Sequence, residues 1–295
     1  YPFIAVSPNG TRVYVSRESE VTVIDTRTRT VIKTIPIADD EASPWNGPIV
    51  VSPNGKYVYV LHQRIKETPG VSGMGPETPG SIGLVTVIDA ASNTIKGNVE
   101  LGANTFPVDL AISADGKRLY IGGYYAVGLD AASGTYEPVD PGHGDPWIPD
   151  AVLWEFDTET WALSSGELVS VDRQIRDIAL SPVDSRVYIA TIGEVPSDGS
   201  RSRLEVFDTA SHTTIADVPV EGLWDLFITD HLAVSLDGSR IYLGSGEVID
   251  TATYEIIEDR LEGYGSSVIL SPDGERLYFA RSYEGHITVV DAETG

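Results

Sequence analysis

One pattern recurs six times along this chain of 295 residues, and it limits what the chain can fold into. A tight turn such as Ser7-Pro8-Asn9-Gly10 precedes a strand with an apolar-Tyr-apolar triplet, and a second strand then ends on an aspartate. A repeat of this kind has to be recognised before single residues are interpreted, because it decides the fold. The copies carry Tyr14, Tyr59, Tyr120, Tyr188, Tyr242 and Tyr278, followed by Asp25, Asp89, Asp157, Asp208, Asp250 and Asp291.

Each copy predicts four short β-strands, a to d. Strand a is the apolar run before the turn, strand b carries the tyrosine, and strand c is an alternating β-branched run such as Val21-Thr22-Val23-Ile24. In the a–b turn, proline presets φ, and Asn or Asp followed by Gly accepts left-handed backbone. The aspartate after strand c bonds backbone amides further along its own turn, so we predict that all six aspartates are turn residues.

Four-stranded units of about 40 to 50 residues are typical of a β-propeller. We therefore predict an all-β chain of four-stranded antiparallel blades that forms a single domain over residues 1–295. The sixth copy ends after strand c, so six blades and seven blades are both compatible with the sequence. The repeats are expected at about 1–37, 48–102, 106–171, 175–220, 229–262 and 266–295.

Charge and composition narrow the classes of partner. The formal net charge is −24, from 44 acidic and 20 basic residues, which argues against nucleic acid and anionic membranes as partners. The chain has no cysteine, so it cannot form a disulfide or a thiolate metal site. We expect an extracytoplasmic protein, whether secreted, periplasmic or on the cell surface, and a processed product, since the chain begins at Tyr1. No apolar run approaches the roughly 20 residues of a membrane span.

The repeat resembles the YVTN-type β-propeller family. In the first copy the resemblance rests on Ala5–Gly10, Arg12–Val15, Val21–Thr26 and Ile35–Ile37, and it extends over nearly the whole chain. Proteins of this family include surface-layer and other extracytoplasmic propeller proteins as well as a few enzymes, and their rings usually have seven blades. The resemblance implies the fold, and it implies that the repeat residues are structural.

The long connections all join strand b to strand c. They run over Gln63–Ile82, Tyr124–Pro149 and Gly193–Ser202. In propellers the b–c and d–a loops gather on one face around the axial channel, and a concave mouth there is the expected ligand site. A scaffold alone needs only short connections, so the long ones indicate function. The alternative is a surface ornament or a contact with a neighbouring domain.

Comparison of the copies places three chemically active side chains at one position of strand a. Four residues before the turn serine lie Asp109, Asp177 and His231 in copies three to five, and Arg176 and Asp230 come one residue earlier. Two carboxylates and an imidazole at one level predict a site for a divalent metal such as Ca²⁺ or Mg²⁺, or an acid–base pair. The alternative is a hydrated polar channel in which Arg176 neutralises the acids.

Aromatic residues near the same face suggest a flat ligand. Trp45 with Asn46, Trp147 and Trp224 lie in connections that reach the channel mouth, where indoles stack on sugar rings. Each tryptophan has the alternative role of sealing a loop onto its own blade.

Three functions remain open at this point. The first is an extracytoplasmic propeller that binds a small molecule, a glycan or a protein at its loop-rich mouth. The second is an enzyme of the propeller lactonase or lyase type that uses Asp109, Asp177 and His231, with or without a divalent metal. The third is a structural module of a longer surface array.

Overall fold

A computed structural model of the chain describes residues 3–17, 19–37, 46–64, 81–103, 105–125, 129–130, 135–136, 151–164, 166–170, 173–193, 202–220, 232–258, 261–265, 267–281 and 284–294. These residues form strands and turns and contain no helix, and so no described segment is a helix long and apolar enough to cross a membrane. The chain divides into two compact units, Tyr1–Gly166 and Glu167–Gly295, where the sequence predicted one domain. The division lies inside the third predicted repeat.

Unit one contains three sheets of antiparallel strands and a short hairpin. Sheet one has the order β1 (Phe3–Val6), β2 (Arg12–Arg17), β3 (Glu20–Asp25) and β4 (Thr30–Pro36). Sheet two has the order β5 (Asn46–Val51), β6 (Tyr57–Arg64), β7 (Ile82–Asp89) and β8 (Thr94–Ala103). Sheet three contains β9 (Thr105–Ile112), β10 (Arg118–Tyr125) and β13 (Ala151–Asp157). The hairpin pairs β11 (Leu129–Asp130) with β12 (Thr135–Tyr136).

Unit two begins with β14 (Glu167–Ser170) and contains three further sheets. Sheet four has the order β15 (Arg173–Leu180), β16 (Arg186–Gly193), β17 (Ser202–Asp208) and β18 (Thr213–Val220). Sheet five has the order β19 (Leu232–Val234), β20 (Arg240–Leu243), β21 (Val248–Asp250) and β22 (Ile256–Glu258). Sheet six has the order β23 (Ser267–Leu270), β24 (Arg276–Arg281) and β25 (His286–Asp291). The predicted all-β fold of four-stranded antiparallel blades is confirmed.

The a–b turn forms as the sequence predicted in the five repeats whose turn ends on glycine, and the c–d turn forms in all six. Gly10 has a φ of 67° and donates its N–H to the Ser7 carbonyl at 2.8 Å, which closes the a–b turn. At the c–d turn, Asp25 accepts the N–H and the hydroxyl of Thr28 at 2.7 and 2.9 Å. These hydrogen bonds, first of all the one from the Thr28 N–H, hold the pKa of Asp25 below its usual value. The predicted turn role is confirmed, because hydrogen bonds of this kind recur at Asp89, Asp157, Asp208, Asp250 and Asp291.

The antiparallel order gives each sheet two ends, at which the strands begin or finish, and these ends have different properties. Strand a starts, strand b ends, strand c starts and strand d ends at one of them, which we call the loop edge. The opposite edge, which we call the turn edge, carries the a–b and c–d turns just described. The long b–c connections that follow β6, β10 and β16 therefore all leave from loop edges.

The hydrophobic core lies between successive sheets. In sheet one, Tyr14, Val21 and Val23 face sheet two and pack in one cluster with Val58 and Val60 of that sheet. We call this side of a sheet the tyrosine face. The tyrosine faces of sheets two, four and five pack in the same way on the next sheet, through Tyr59, Tyr188 and Tyr242. Each fully buried aliphatic side chain stabilises the fold by about 1.5–3 kcal/mol, so these interfaces are the main source of stability.

Val23→Asp tests this assignment of the core. Val23 is fully buried, so an aspartate there has no partner for its charge, and we expect the free energy of unfolding to fall by several kcal/mol. The measurement is urea denaturation. The matched control is Val31→Asp on β4, where the native side chain is 60% exposed and little change is expected. Equal effects of the two substitutions would contradict the assignment.

Candidate functional site

Asp109 and Asp177 occupy the same register position in two different sheets. Asp109 of β9 lies opposite Gly122, and Asp177 of β15 lies opposite Ala190. Each of these partners is the second residue after the tyrosine of strand b, as the comparison of the repeats predicted. In both sheets the register shifts by one residue just before the aspartate. Such bulges re-aim a side chain next to the loop edge.

Both carboxylates are buried, and the structure shows one use of Asp177. Asp109 is 5% exposed and Asp177 is 3% exposed. Asp177 Oδ2 accepts the backbone N–H of Leu232 at 2.7 Å, and Leu232 is the first residue of β19 in sheet five. A carboxylate that accepts a backbone N–H in a dry environment makes a strong, charge-assisted hydrogen bond. Asp177 therefore links sheet four to strand a of sheet five by a hydrogen bond.

Most other predicted site residues lie outside the described part of the chain. These are Trp45, Trp147, Trp224, Asp230 and His231. Asn46 begins β5 with its backbone opposite His62. Arg176 stands at the bulge of β15, where its Nη2 donates to Gln174 Oε1 at 2.9 Å.

The predicted metal site therefore stays a prediction. Asp109 and Asp177 belong to different units, and His231 is not described. Among the described residues, no group of three or more His, Asp and Glu side chains is placed to hold a metal ion.

A second set of buried polar side chains was missed in the sequence. It pairs the third residue after the tyrosine of strand b with the third residue before the aspartate of strand c. Thr191 donates its hydroxyl to Glu205 Oε1 at 2.9 Å, and the hydroxyl of Thr86 lies 2.7 Å from His62 Nε2. In the compact sheet five, Ser245 donates to Glu247 at 2.9 Å. An alignment of the six copies on two anchors, the tyrosine of strand b and the aspartate of strand c, would have identified these positions in the sequence.

The pair in sheet two extends to a third strand. Thr86 has one hydroxyl proton and donates it to Asn98 Oδ1 at 2.8 Å. The Thr86 oxygen therefore accepts from His62, which places a proton on Nε2 of that imidazole. His62 is buried, so this network orients it near the loop edge of sheet two.

Glu205 is a second buried acid of sheet four, in addition to Asp177 of β15 in the same sheet. It is 2% exposed, and besides Thr191 its carboxyl is hydrogen-bonded to Ser170 of β14. Burial raises the pKa of Glu205 above its usual value, since desolvation penalises the charged form. The charge of Asp217 on the neighbouring strand β18 acts in the same direction, while Arg173 opposes it.

The buried polar groups at the two edges therefore differ in whether the repeat pattern requires them. Ser7, Ser52, Ser181, Ser235 and Ser271 belong to the turn edge, where the repeat uses them. From the middle of the sheets to the loop edge lie buried residues that the repeat pattern does not require, including His62, Thr86, Asp109, Asp177, Thr191 and Glu205.

Comparison with known proteins agrees on the fold. No protein-family model matches the chain. The chain is 33% identical over 123 residues to the seven-bladed β-propeller protein Rv1057 of Mycobacterium tuberculosis, which covers 41% of this chain and 30% of that protein. Among solved structures, a hydrazine synthase chain of Kuenenia stuttgartiensis superposes with a TM-score of 0.69 over 100% of this chain and 84% of the other. With 19% identity, that likeness shows the fold alone.

The chain is a β-propeller. The aligned segment spans less than a third of the length of the Mycobacterium protein. The comparison therefore supports the blade architecture and gives no information about a ligand.

Asp177→Ala tests the link between sheets four and five. It leaves the Leu232 N–H without its buried acceptor, and we expect a loss of about 1–3 kcal/mol in the free energy of unfolding. Asp177→Asn is the matched control, because it keeps a side-chain oxygen and should cost less. Urea denaturation gives the stability, and hydrogen exchange should show faster exchange of the Leu232 amide in the alanine variant. An unchanged exchange rate at Leu232 would count against the link.

Glu205→Gln tests the buried acid through its pH dependence. Because the folded-state pKa is raised, the folded protein keeps the proton after the unfolded chain has released it. Stability therefore falls as the pH rises from the usual Glu pKa of about 4.3 through the raised value. We expect the variant to be more stable than the wild type at pH 7, with the difference shrinking towards pH 4. Glu275→Gln, at an exposed position, is the matched control, and an equal pH dependence of the two variants would contradict the assignment.

Proposed function

We propose that this chain is an extracytoplasmic β-propeller of the YVTN type that binds a small molecule, a glycan or a protein partner at its loop edges. The observation that carries the proposal is the difference between the two edges of each sheet. Turn edges are closed by short turns, whereas sheets two, three and four carry long b–c connections at their loop edges.

The burial of polar groups supports the same edge. Asp109, Asp177 and Glu205 are buried carboxylates at positions that the repeat pattern does not require, and burying a carboxylate costs free energy that its hydrogen bonds must offset. At the turn edge the polar groups satisfy one another, as Ser7 does when its Oγ accepts the N–H of Arg12 at 2.9 Å. Ligand sites are mostly apolar and contain a few convergent polar groups, which these buried side chains can supply.

The class of ligand is inferred from the net charge and from the tryptophans that are predicted to lie at the channel mouth. A net charge of −24 favours neutral or cationic ligands over nucleic acid and anionic membranes. Trp45, Trp147 and Trp224 favour a glycan among the three classes, because the faces of sugar rings stack on indole. The YVTN-like repeat favours a location outside the cytoplasm, and the absence of cysteine is compatible with it.

An enzyme of the lactonase or lyase type is the second candidate. It is favoured by the common register position of Asp109 and Asp177, which are both buried beside a bulge. As predicted from the sequence, such an enzyme would use Asp109, Asp177 and His231, with or without a divalent metal such as Ca²⁺ or Mg²⁺.

A glycan array separates these candidates. In the test variant residues 65–81 are replaced by Asn-Gly, which suits the two-residue hairpin that the Arg64–Ile82 pair would need. We expect labelled wild-type protein and a turn-edge control, Thr28→Ala, to bind the same glycans, and the shortened variant to lose at least about tenfold in affinity. Equal binding by the shortened variant would contradict binding at this loop edge. Hydrolysis of a lactone panel that depends on added Ca²⁺ and is lost in Asp177→Asn would favour the enzyme.

A further inference from the structure

The connection between sheets five and six presents an exposed tyrosine at their loop edges. Residues 261–265 belong to this connection, which joins strand d of sheet five to strand a of sheet six. Tyr264 is 46% exposed, whereas Gly263 directly before it is buried. The b–c connections of these two sheets span only residues 244–247 and 282–285, so neither sheet has a long loop of its own over the ring.

Hydrogen bonds attach the backbone around this tyrosine to both sheets. The N–H of Gly265 donates to the carbonyl oxygen of Gly244 in sheet five at 2.7 Å. The carbonyl oxygen of Tyr264 accepts from Nε of Arg281 in sheet six at 3.0 Å. The position of the tyrosine is therefore set by two sheets and not by a free loop.

A glycine on each side of Tyr264 brings this segment close to sheet six. A Cβ atom on Gly265 would lie 2.3 Å from the carbonyl oxygen of Ala280, and one on Gly263 would lie 2.4 Å from Cδ2 of Phe279. Both distances are too short for any side chain. The segment thus lies against the sheet, and the one large side chain between its glycines is directed to solvent.

Arg281 fixes the ring itself. Its Cζ lies 3.8 Å from the centroid of the Tyr264 ring, and its side chain is only 18% exposed. A guanidinium at this distance over an aromatic face makes a cation–π contact. An aromatic side chain that is already held in place loses little conformational entropy when a ligand stacks on it. We call Tyr264 and Arg281 the stacking platform.

Two polar side chains of the β24–β25 hairpin adjoin the stacking platform. Arg281 Nη1 donates to Oε2 of Glu284 at 3.2 Å, and the same Oε2 lies 3.4 Å from Nε2 of His286. Glu284 and His286 are both exposed. An aromatic surface with a few polar groups beside it has the composition of a ligand site.

We propose that the stacking platform, with Glu284 and His286, is a subsite for a neutral sugar ring. This inference rests on the proposed function and narrows its glycan class. The C–H groups of a sugar ring suit the electron-rich face of an aromatic side chain. Arg281 on the ring disfavours a cationic ligand, whereas Glu284 and the net charge of −24 disfavour an acidic sugar.

Tyr264→Ala tests the subsite on the same glycan array. We expect it to lose at least about tenfold in affinity for the glycans that the wild type binds. Tyr264→Phe keeps the ring and should recover most of the lost affinity. The matched control is Tyr278→Ala, which removes another exposed tyrosine of sheet six from the middle of β24 and should leave binding unchanged. Urea denaturation of each variant shows whether it is folded.

Glu284→Gln tests the selection for neutral sugars without altering the tyrosine. It keeps the size of the side chain and removes its negative charge, so the ratio of acidic to neutral glycans bound should rise. An unchanged ratio, or a wild type that prefers acidic glycans, would contradict this selection.

The outcomes separate the subsite from the proposed function. Full binding by Tyr264→Ala, together with a loss when residues 65–81 are replaced, would overturn the subsite and leave the proposed function standing. A loss in Tyr264→Ala alone would support the subsite and contradict binding at the loop edge of sheet two. A wild type that binds no glycan would overturn the subsite and leave the proposed function with its other two ligand classes.

Discussion

The packing of each tyrosine face on the next sheet is the interaction on which the rest of the structure depends. A single four-stranded sheet has two apolar sides and cannot bury either by itself. Val21 and Val23 are fully buried only because Val58 and Val60 of the next sheet lie against them. Hydrogen bonds at the turn edge add direction to this apolar contact. Arg12 Nη1 of sheet one donates to the Ala90 carbonyl oxygen of sheet two, and the Tyr242 hydroxyl of sheet five donates to the Ala292 carbonyl oxygen of sheet six at 3.1 Å.

This constraint explains why the repeat residues carry so little information about function. The turn serines, the Asx residues and the strand c aspartates are used by local hydrogen bonds, as Ser7 and Asp25 are. The lowered pKa of these aspartates reflects hydrogen bonds from turn amides and hydroxyls; the pKa of Asp157, to which the Thr160 N–H contributes most, lies at about 2. An acid held in this way is a poor candidate for proton transfer near neutral pH.

Function is instead expected where the repeats differ from one another. At one position of strand c, sheet one has Thr22, sheet three has Trp154 and sheet four has Glu205. Trp154 packs in the core of unit one, whereas Glu205 is buried with hydrogen bonds to Thr191 and Ser170. The same backbone position thus serves packing in one blade and polar chemistry in another, which is how one scaffold carries different sites.

The sequence by itself determined the strands, the turns and the equivalence of positions among blades. It did so because these depend on local patterns: alternation, turn residues and a repeat that returns with the same spacing. The common register of Asp109 and Asp177 was predictable for this reason. Only the tertiary structure decided the partners of those positions. The acceptor for the Leu232 N–H lies 55 residues away in Asp177, and Glu205 is hydrogen-bonded to Ser170 of a strand outside its own sheet. No local pattern encodes such contacts, since they exist only once the sheets have packed.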